Sequence, residues 1–260
     1  MTKFGICNLS VIPVRAEPSE KAEMVTQLLF GDLIVITSEN EGWYYIRIIF
    51  DNYEGWIDKK MITLIEEDEF NMLNHSQPQY TSDLANVVDD TSTGELTPIV
   101  AGSSIRNISE NTFQIGNTTY HFTGQFSQAD TKITYPKILE NALLYLNSPY
   151  LWGGKTPFGI DCSGFTQQVF KISGIKLLRD ASQQATQGEP VSFISEAEPG
   201  DLAFFDNEEG AIVHVGIILG EQKIIHASGK VRIDNIDHQG IYNSELKSYT
   251  HNLRLIKRII

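Results

Sequence analysis

The 260-residue chain carries 20 Lys and Arg against 33 Asp and Glu, a formal charge of −13, with a pI near 4.8. So acidic a chain is a poor partner for nucleic acid or anionic surfaces, and its length allows one large domain or two to three small ones. No apolar run approaches the ~20 residues that cross a membrane, and the opening MTKFGICNLS, interrupted at Asn8, is not a signal-peptide core; a cytoplasmic location is expected, or a periplasmic one if a leader has been removed.

Residues 1–65 read as all-β. VIPVRAEPS ends a strand in a proline turn, and QLLFGDLIVITSE is a strand–turn–strand punctuated by Gly31-Asp32. GWYYIRIIF and YEGWIDKKMI are aromatic, β-branched strands joined by Asp51-Asn52. Over 66–79 the chain turns acidic and polar, a link or long loop with room for a short helix over 67–73. β-type signals return over 80–128, where 113–115 and 119–122 flank Gly116-Asn117, a hairpin signal; His121 there reads as barrel surface. A polar connector is expected over 127–135, then a helix over 137–146. After a second helix at 162, LLRDASQQATQG leads into a short helix capped by Asp180 or Ser182. Strands follow over 201–205, 212–219, 223–227 and 231–233, with a closing strand over 254–260. Strands following helices suggest an α+β layer.

The stretch PYLWGGKTPFGIDCSGFTQQVF, residues 149–170, carries the chemistry. Cys162 stands where a loop becomes a helix, and either Asp161 or Ser163 can cap that helix. Phe165, Val169 and Ile172 make one apolar face, and Gly174 is the stop. A thiol at a helix N-terminus feels the positive dipole end, which favours thiolate. Gly153, Gly154 and Gly159 let another chain segment lie close to the sulfur. A free cysteine is more often a small buried hydrophobe; the small polar neighbours in DCSGF argue here for a sulfur near solvent.

Two histidines lie in AIVHVGIILGEQKIIHAS, which reads as a hairpin turning at 220–222. With Leu219 opposite Lys223, His214 lies opposite Ser228, and His226 is two residues along on the same face. A two-residue turn without a bulge would instead put the histidines on opposite faces. A thiol, a base and an orienting third group follow the logic of cysteine peptidases. Cys162 and two histidines could also hold zinc, but there is no CxxC and no HxxxH, so neither metal nor cofactor is expected. Cys7 and Cys162 could pair, but a nucleophile cannot work inside a disulfide, so a reducing compartment fits better.

These pieces resemble the NlpC-type cell-wall cysteine peptidases, a compact papain-like family. The likeness rests on PYLWGG, DCSGF, PGDLAFF over 199–205, HVGIIL from His214 and IIHAS around His226, in the family's order over 137–260. The VR..PS opening, GWYYI and GWI resemble a bacterial SH3-like module. The resemblance implies two N-terminal SH3-like β-barrels, 1–65 and 66–128, the second more divergent, ahead of a papain-like α+β catalytic domain over 129–260. It makes Cys162 the nucleophile, His214 the general base and His226 the residue orienting it. NlpC-type enzymes generally cut the γ-D-glutamyl bond to diaminopimelate or lysine in peptidoglycan stem peptides. Members with leading SH3-like modules resemble the dipeptidyl-peptidase VI subgroup, which needs a free N-terminal L-Ala and releases L-Ala-D-Glu in wall-peptide recycling. Glu23 and Tyr53 match that subgroup's binding positions on the first module. Asp161 could accept from the same ammonium, Arg179 and Asp180 are candidates for the D-Glu α-carboxylate and further polar contacts, and Ser163 and Tyr150 match other substrate-binding positions. The expected partner is a small murein stem peptide, bound by a monomer, with no nucleic acid and no membrane. Competing readings are a hydrolase of intact peptidoglycan, a thiol amide or acyl transferase, and a wall-binding protein with a vestigial third domain.

Overall fold

In the computed structural model, which describes residues 2–127 and 134–260, the chain divides into two units, residues 1–129 and 130–260. Unit 1 opens with strands β1 (Lys3–Ile6), β2 (Val11–Arg15), β3 (Met24–Leu29), β4 (Leu33–Asn40), β5 (Trp43–Ile48), β6 (Glu54–Asp58) and β7 (Thr63–Ile65). They form one antiparallel sheet in the order β3-β2-β6-β5-β4-β1-β7. Alternation sets its faces: Tyr44, Ile46 and Ile48 of β5 are buried while Arg47 is exposed. Strands β1 and β7, outside the sequence expectation, are too short for alternation to register.

The acidic segment after β7 holds a nine-residue helix, α1 (Glu67–His75), in the place where there was room for a short helix over 67–73. Glu67, Asp68 and Glu69 complement its dipole in the first turn, and Phe70 and Leu73 bury its inner face. Strands β8 (Gln79–Tyr80), β9 (Ala85–Asp90), β10 (Leu96–Val100), β11 (Ser104–Ile105), β12 (Thr112–Ile115) and β13 (Thr118–His121) follow. They make a four-stranded sheet, β10-β9-β13-β12, and a two-stranded β8–β11 ribbon. The Gly116-Asn117 hairpin forms, with Ile115 opposite Thr118. One apolar cluster runs from Ile6 and Phe30 through Phe70 to Val88, Phe113 and Phe122, so the two parts of unit 1 share a core. The stitch is Gly31, whose φ is +80°: a Cβ there would stand 1.7 Å from the Ser104 carbonyl oxygen. Ser104 N donates to Phe30 O at 2.8 Å.

Of the connector expected over 127–135, residues 128–133 lie outside the described residues. Unit 2 contains helix α2 (Tyr135–Leu144), a short ribbon of β14 (Lys155–Thr156) and β15 (Gly159–Ile160), and helices α3 (Cys162–Ile172) and α4 (Ala181–Gln184). Strands β16 (Glu189–Val191), β17 (Leu202–Asp206), β18 (Ile212–Gly220), β19 (Lys223–Ser228), β20 (Lys230–Ile236), β21 (Gly240–Asn243) and β22 (Ser248–Arg258) complete it. The sheet order is β16-β22-β17-β18-β19-β20-β21, and β22 pairs with β21 as well, curling the sheet onto itself. All eleven residues of α3 are buried, and the helix packs on β18 and β19. Strands β16 and β21 were not expected, and β20 and β22 run well past their predicted spans, because Arg232, Asp234 and the polar start of β22 hide the strand pattern. No described helix is long and apolar enough to cross a membrane.

Candidate active site

Asp161, not Ser163, caps α3: its Oδ1 accepts from Gly164 N at 2.6 Å. The helix ends as expected at Gly174, with φ +83°. Ile175 N reaches Phe170 O at 2.8 Å and Gly174 N reaches Lys171 O at 3.0 Å, the paired bonds of a Schellman stop. The glycines before the helix serve close approach. A Cβ on Gly164 would lie 2.3 Å from Gly154 O, and one on Gly154 2.3 Å from Gly159 O.

The expectation of a sulfur near solvent is not met, since Cys162 is 7 % exposed. Its polar neighbours face inward and satisfy one another. Arg179, itself buried, donates Nη1 to Asp161 Oδ1 at 3.1 Å and to Ser163 Oγ at 2.9 Å, and Nη2 to Asp161 Oδ2 at 2.6 Å. Gly153 N donates to Asp161 Oδ2 at 2.9 Å. Nor does the helix start deliver a resting thiolate. Burial, then the Asp161 carboxylate, push the thiol up to about 12, against weaker help from the Val215 and Ser163 N–H groups and Arg179. The Val215 contact places the residue after His214 beside the sulfur.

The two histidines share a face, by a route the sequence left open. The turn has two residues, Glu221 and Gln222, both at positive φ, and a bulge at Leu219 restores the register, so that Gly216 faces His226. His214 Nε2 and His226 Nδ1 are 2.8 Å apart, and His226 Nε2 lies 3.0 Å from Asp234 Oδ2. His214 Nδ1 is the ring nitrogen that takes no part in this contact. Both rings are buried, and burial, followed by the neighbouring His226 and His251, holds His214 well below the usual imidazole range. Both shifts favour the neutral forms, thiol and imidazole, over the ion pair.

Four residues of this site escaped sequence reading. His251 stacks on His214, with ring centroids 4.1 Å apart and planes at 26°. Gly216 makes room for His226: a Cβ there would stand 2.9 Å from His226 Cβ. Asp234 and Arg232 of β20 complete the polar edge, with Arg232 Nε 2.7 Å from Oδ2 and Nη2 3.0 Å from Oδ1. The only available signal was the period-2 spacing of Arg232 and Asp234, which reads equally as an ordinary solvated face. Among the described residues no group of three or more His, Cys, Asp or Glu is disposed to hold a metal ion, and Cys7 and Cys162 are both free thiols.

The remaining candidates divide between the units. Tyr150 belongs with Cys162: burial, then the Cys162 and Asp161 charges, push its phenol up to about 12. Ser163 and Arg179 join the Asp161 cluster, and Asp180 precedes α4, its backbone N donating to Gln183 Oε1 at 3.0 Å. Glu23, just before β3, and Tyr53, just before β6, are residues of unit 1.

Residues 147–250 match the NlpC/P60 family, and residues 14–62 match the bacterial dipeptidyl-peptidase SH3 domain. The chain is 28% identical to dipeptidyl-peptidase 6 of Lysinibacillus sphaericus, over 89% of this chain and 91% of that protein. It is 29% identical to the gamma-D-glutamyl-L-lysine dipeptidyl-peptidase of Bacillus subtilis, over 86% of this chain and 75% of the relative. An NlpC/P60 family protein from Bacillus cereus superposes with a TM-score of 0.84 over 98% of this chain and 99% of its own, at 18% identity, a likeness of fold. The chain thus carries an NlpC/P60 domain over residues 147–250, which include Cys162, His214 and His226, with a bacterial dipeptidyl-peptidase SH3 domain ahead of it over residues 14–62.

Proposed function

We propose that the protein hydrolyses the bond between γ-D-glutamate and the L-diamino acid of short murein stem peptides that carry a free N-terminal L-Ala, releasing L-Ala-D-Glu. The observation that carries the reaction is the 2.8 Å contact between His214 Nε2 and His226 Nδ1, which reserves His214 Nδ1 for the Cys162 proton. As the sulfur attacks the amide carbonyl, that proton passes to His214. The N–H of Cys162, at the helix start, meets the oxyanion. His214 then protonates the leaving amine, and water releases the acyl-enzyme. The substrate class is supported by the two dipeptidyl-peptidase relatives matched along most of the chain.

In this reading a free α-ammonium must be met by opposite charge. Glu23 and Tyr53 receive it and Asp180 and Tyr150 serve the D-Glu portion, while Asp161, Arg179 and Ser163, which satisfy one another in the interior, hold the start of α3 in place. The same reading divides the chain into an SH3-like module over 1–65, a divergent second one over 66–128 and an α+β catalytic domain over 129–260, a monomer acting in a reducing compartment.

Mass spectrometry of digests of L-Ala-γ-D-Glu-L-Lys and its diaminopimelate counterpart tests the proposal. L-Ala-D-Glu is expected from the free peptides and almost none from N-acetylated ones, and Glu23→Ala should raise KM without altering the thermal melt. Equal cleavage of blocked peptide or of intact wall would make the protein a wall hydrolase, and a transferred acyl product would make it a transferase.

A further inference from the structure

Beyond the three residues of the proposed catalytic set, the polar line continues one step. His226 stands directly opposite Arg232 on β20, and Asp234 is two residues further along the same face. Asp234 Oδ2 lies 3.0 Å from His226 Nε2. Arg232 grips both carboxylate oxygens, at 2.7 and 3.0 Å, and its outer side meets the exposed Glu245 at 3.4 Å. Asp234 is itself buried.

We propose that Asp234 is a positioning residue that sets the order of protons along Asp234–His226–His214, so that the bare nitrogen of His214 is Nδ1. The inference rests on the reading of His214 as general base, and the logic is one of donors and acceptors. An ionised carboxylate only accepts, so His226 carries its proton on Nε2. A neutral His226 then has a bare Nδ1, which can only accept. His214 must therefore donate from Nε2, and its Nδ1 keeps the lone pair that takes the thiol proton. Without the carboxylate the order can reverse. His226 could hold its proton on Nδ1 and donate to His214 Nε2, leaving the His214 proton on the nitrogen that should be vacant.

The surroundings keep Asp234 ionised. Although burial pushes its pKa up, the hydrogen bonds from His226 and Arg232 prevail and hold it below the usual carboxylate range. The same charge stabilises the imidazolium that forms on His214 during proton transfer. The other groups facing His214 are the His251 ring on β22 and the apolar Phe205 ring on β17, with Cys162 beside its neighbour Val215. None of these hydrogen-bonds His226 Nε2, so the carboxylate alone supplies the bias.

Long-range proton–nitrogen NMR correlation on the nitrogen-15-labelled full chain near pH 7.5 reads the tautomers directly. The expected result is Nε2–H for both His214 and His226. A wild-type His214 protonated on Nδ1 overturns the proposal without recourse to any variant, so a variant that failed to fold would not shelter it. In folded Asp234→Ala, His226 should move toward the Nδ1–H form. Its kcat on L-Ala-γ-D-Glu-L-Lys should fall about 10- to 100-fold while KM stays within about threefold, and the acid limb of kcat should move to lower pH because the imidazolium has lost its counter-charge. Asp234→Glu should recover part of the rate and the wild-type tautomer. Unchanged tautomers, kcat and acid limb in Asp234→Ala would also overturn it. A wild-type protein with the expected tautomers that cleaves no stem peptide would sink the proposed function and leave the proton order standing.

Discussion

Two aspartate–arginine pairs flank the path between sulfur and imidazole, and they act in opposite senses. Asp161 and Arg179 meet at 2.6 and 3.1 Å beside Cys162; Asp234 and Arg232 meet at 2.7 and 3.0 Å behind His226. The first carboxylate adds to burial in raising the thiol pKa, so it favours the proton on sulfur. The second is joined by hydrogen bonds to the imidazole chain, so in the proposed mechanism it favours the proton's arrival at His214. The same two side chains thus oppose or assist ionisation according to whether the carboxylate lies along the line of proton transfer or beside it. Their settings differ too. The Arg179 side chain is 1 % exposed whereas that of Arg232 is 20 % exposed, so the first pair should matter more to stability and the second more to rate.

The strongest way to test that difference is to break the first pair. Asn is as good a helix cap as Asp, so Asp161→Asn keeps the start of α3 but removes the carboxylate charge that the buried Arg179 grips. A loss of about 3–5 kcal/mol is expected in urea unfolding. The protein that remains folded should react faster with iodoacetamide at pH 8, because the charge that raised the thiol is gone. A stable variant with unchanged alkylation would erase the contrast between the pairs. A smaller effect is expected on the other side. Gly216→Ala brings a methyl group within 2.9 Å of His226 Cβ and 2.8 Å of Ile224 Cδ1, overpacking worth about 1–3 kcal/mol. By displacing the imidazole chain it should lower kcat about 10- to 100-fold. Retention of full kcat would show that the register opposite His226 is not critical.

The same contrast governs what could be read from the sequence. The sulfur side is local: DCSGF, the glycines and the apolar face of α3 announce a capped helix with a cysteine at its head. What was hidden there is long-range. Arg179, 18 residues beyond Asp161, looks in LLRDAS like a surface residue, and only folding shows two charges cancelling each other in the interior. For this reason the sulfur proved buried where polar neighbours suggested solvent. On the imidazole side, His214 and His226 were legible as residues, but their shared face depended on a bulge at Leu219 that no pattern announces. Asp234 was lost because VRIDNI resembles an ordinary half-exposed strand. In unit 1 the main strands were visible in alternation. EDEFNMLNH allowed a short helix but did not announce one, because only Phe70 and Leu73 of it are buried.

The gentlest test uses pH alone. His214 is held well below the ordinary imidazole range by burial, and protonating it removes the proposed base, so kcat/KM should be lost only as pH falls through that lowered value. Between pH 6 and 8 the profile should change less than about twofold, whereas an imidazole near its ordinary pKa of about 6.5 would already halve the rate there. Stability should move in a different window. His214 and His251, the latter lowered to about 4 mainly by burial, stay neutral in the folded protein while the unfolded chain takes up protons below pH ~6.5. The unfolded state binds more protons in that interval, so stability is fully present above it and declines as pH falls toward the folded values. Buried His214 contributes up to about 1.4 kcal/mol per pH unit, and the partly exposed His251 less. Chemical unfolding at pH 7 and pH 5 beside a kcat/KM profile should therefore find the protein weakening before its activity titrates. An acid limb centred near 6.5 would mean that His214 is not held neutral by its surroundings, and the contrast between a carboxylate that restrains the sulfur and one that aids the imidazole would lose its second half.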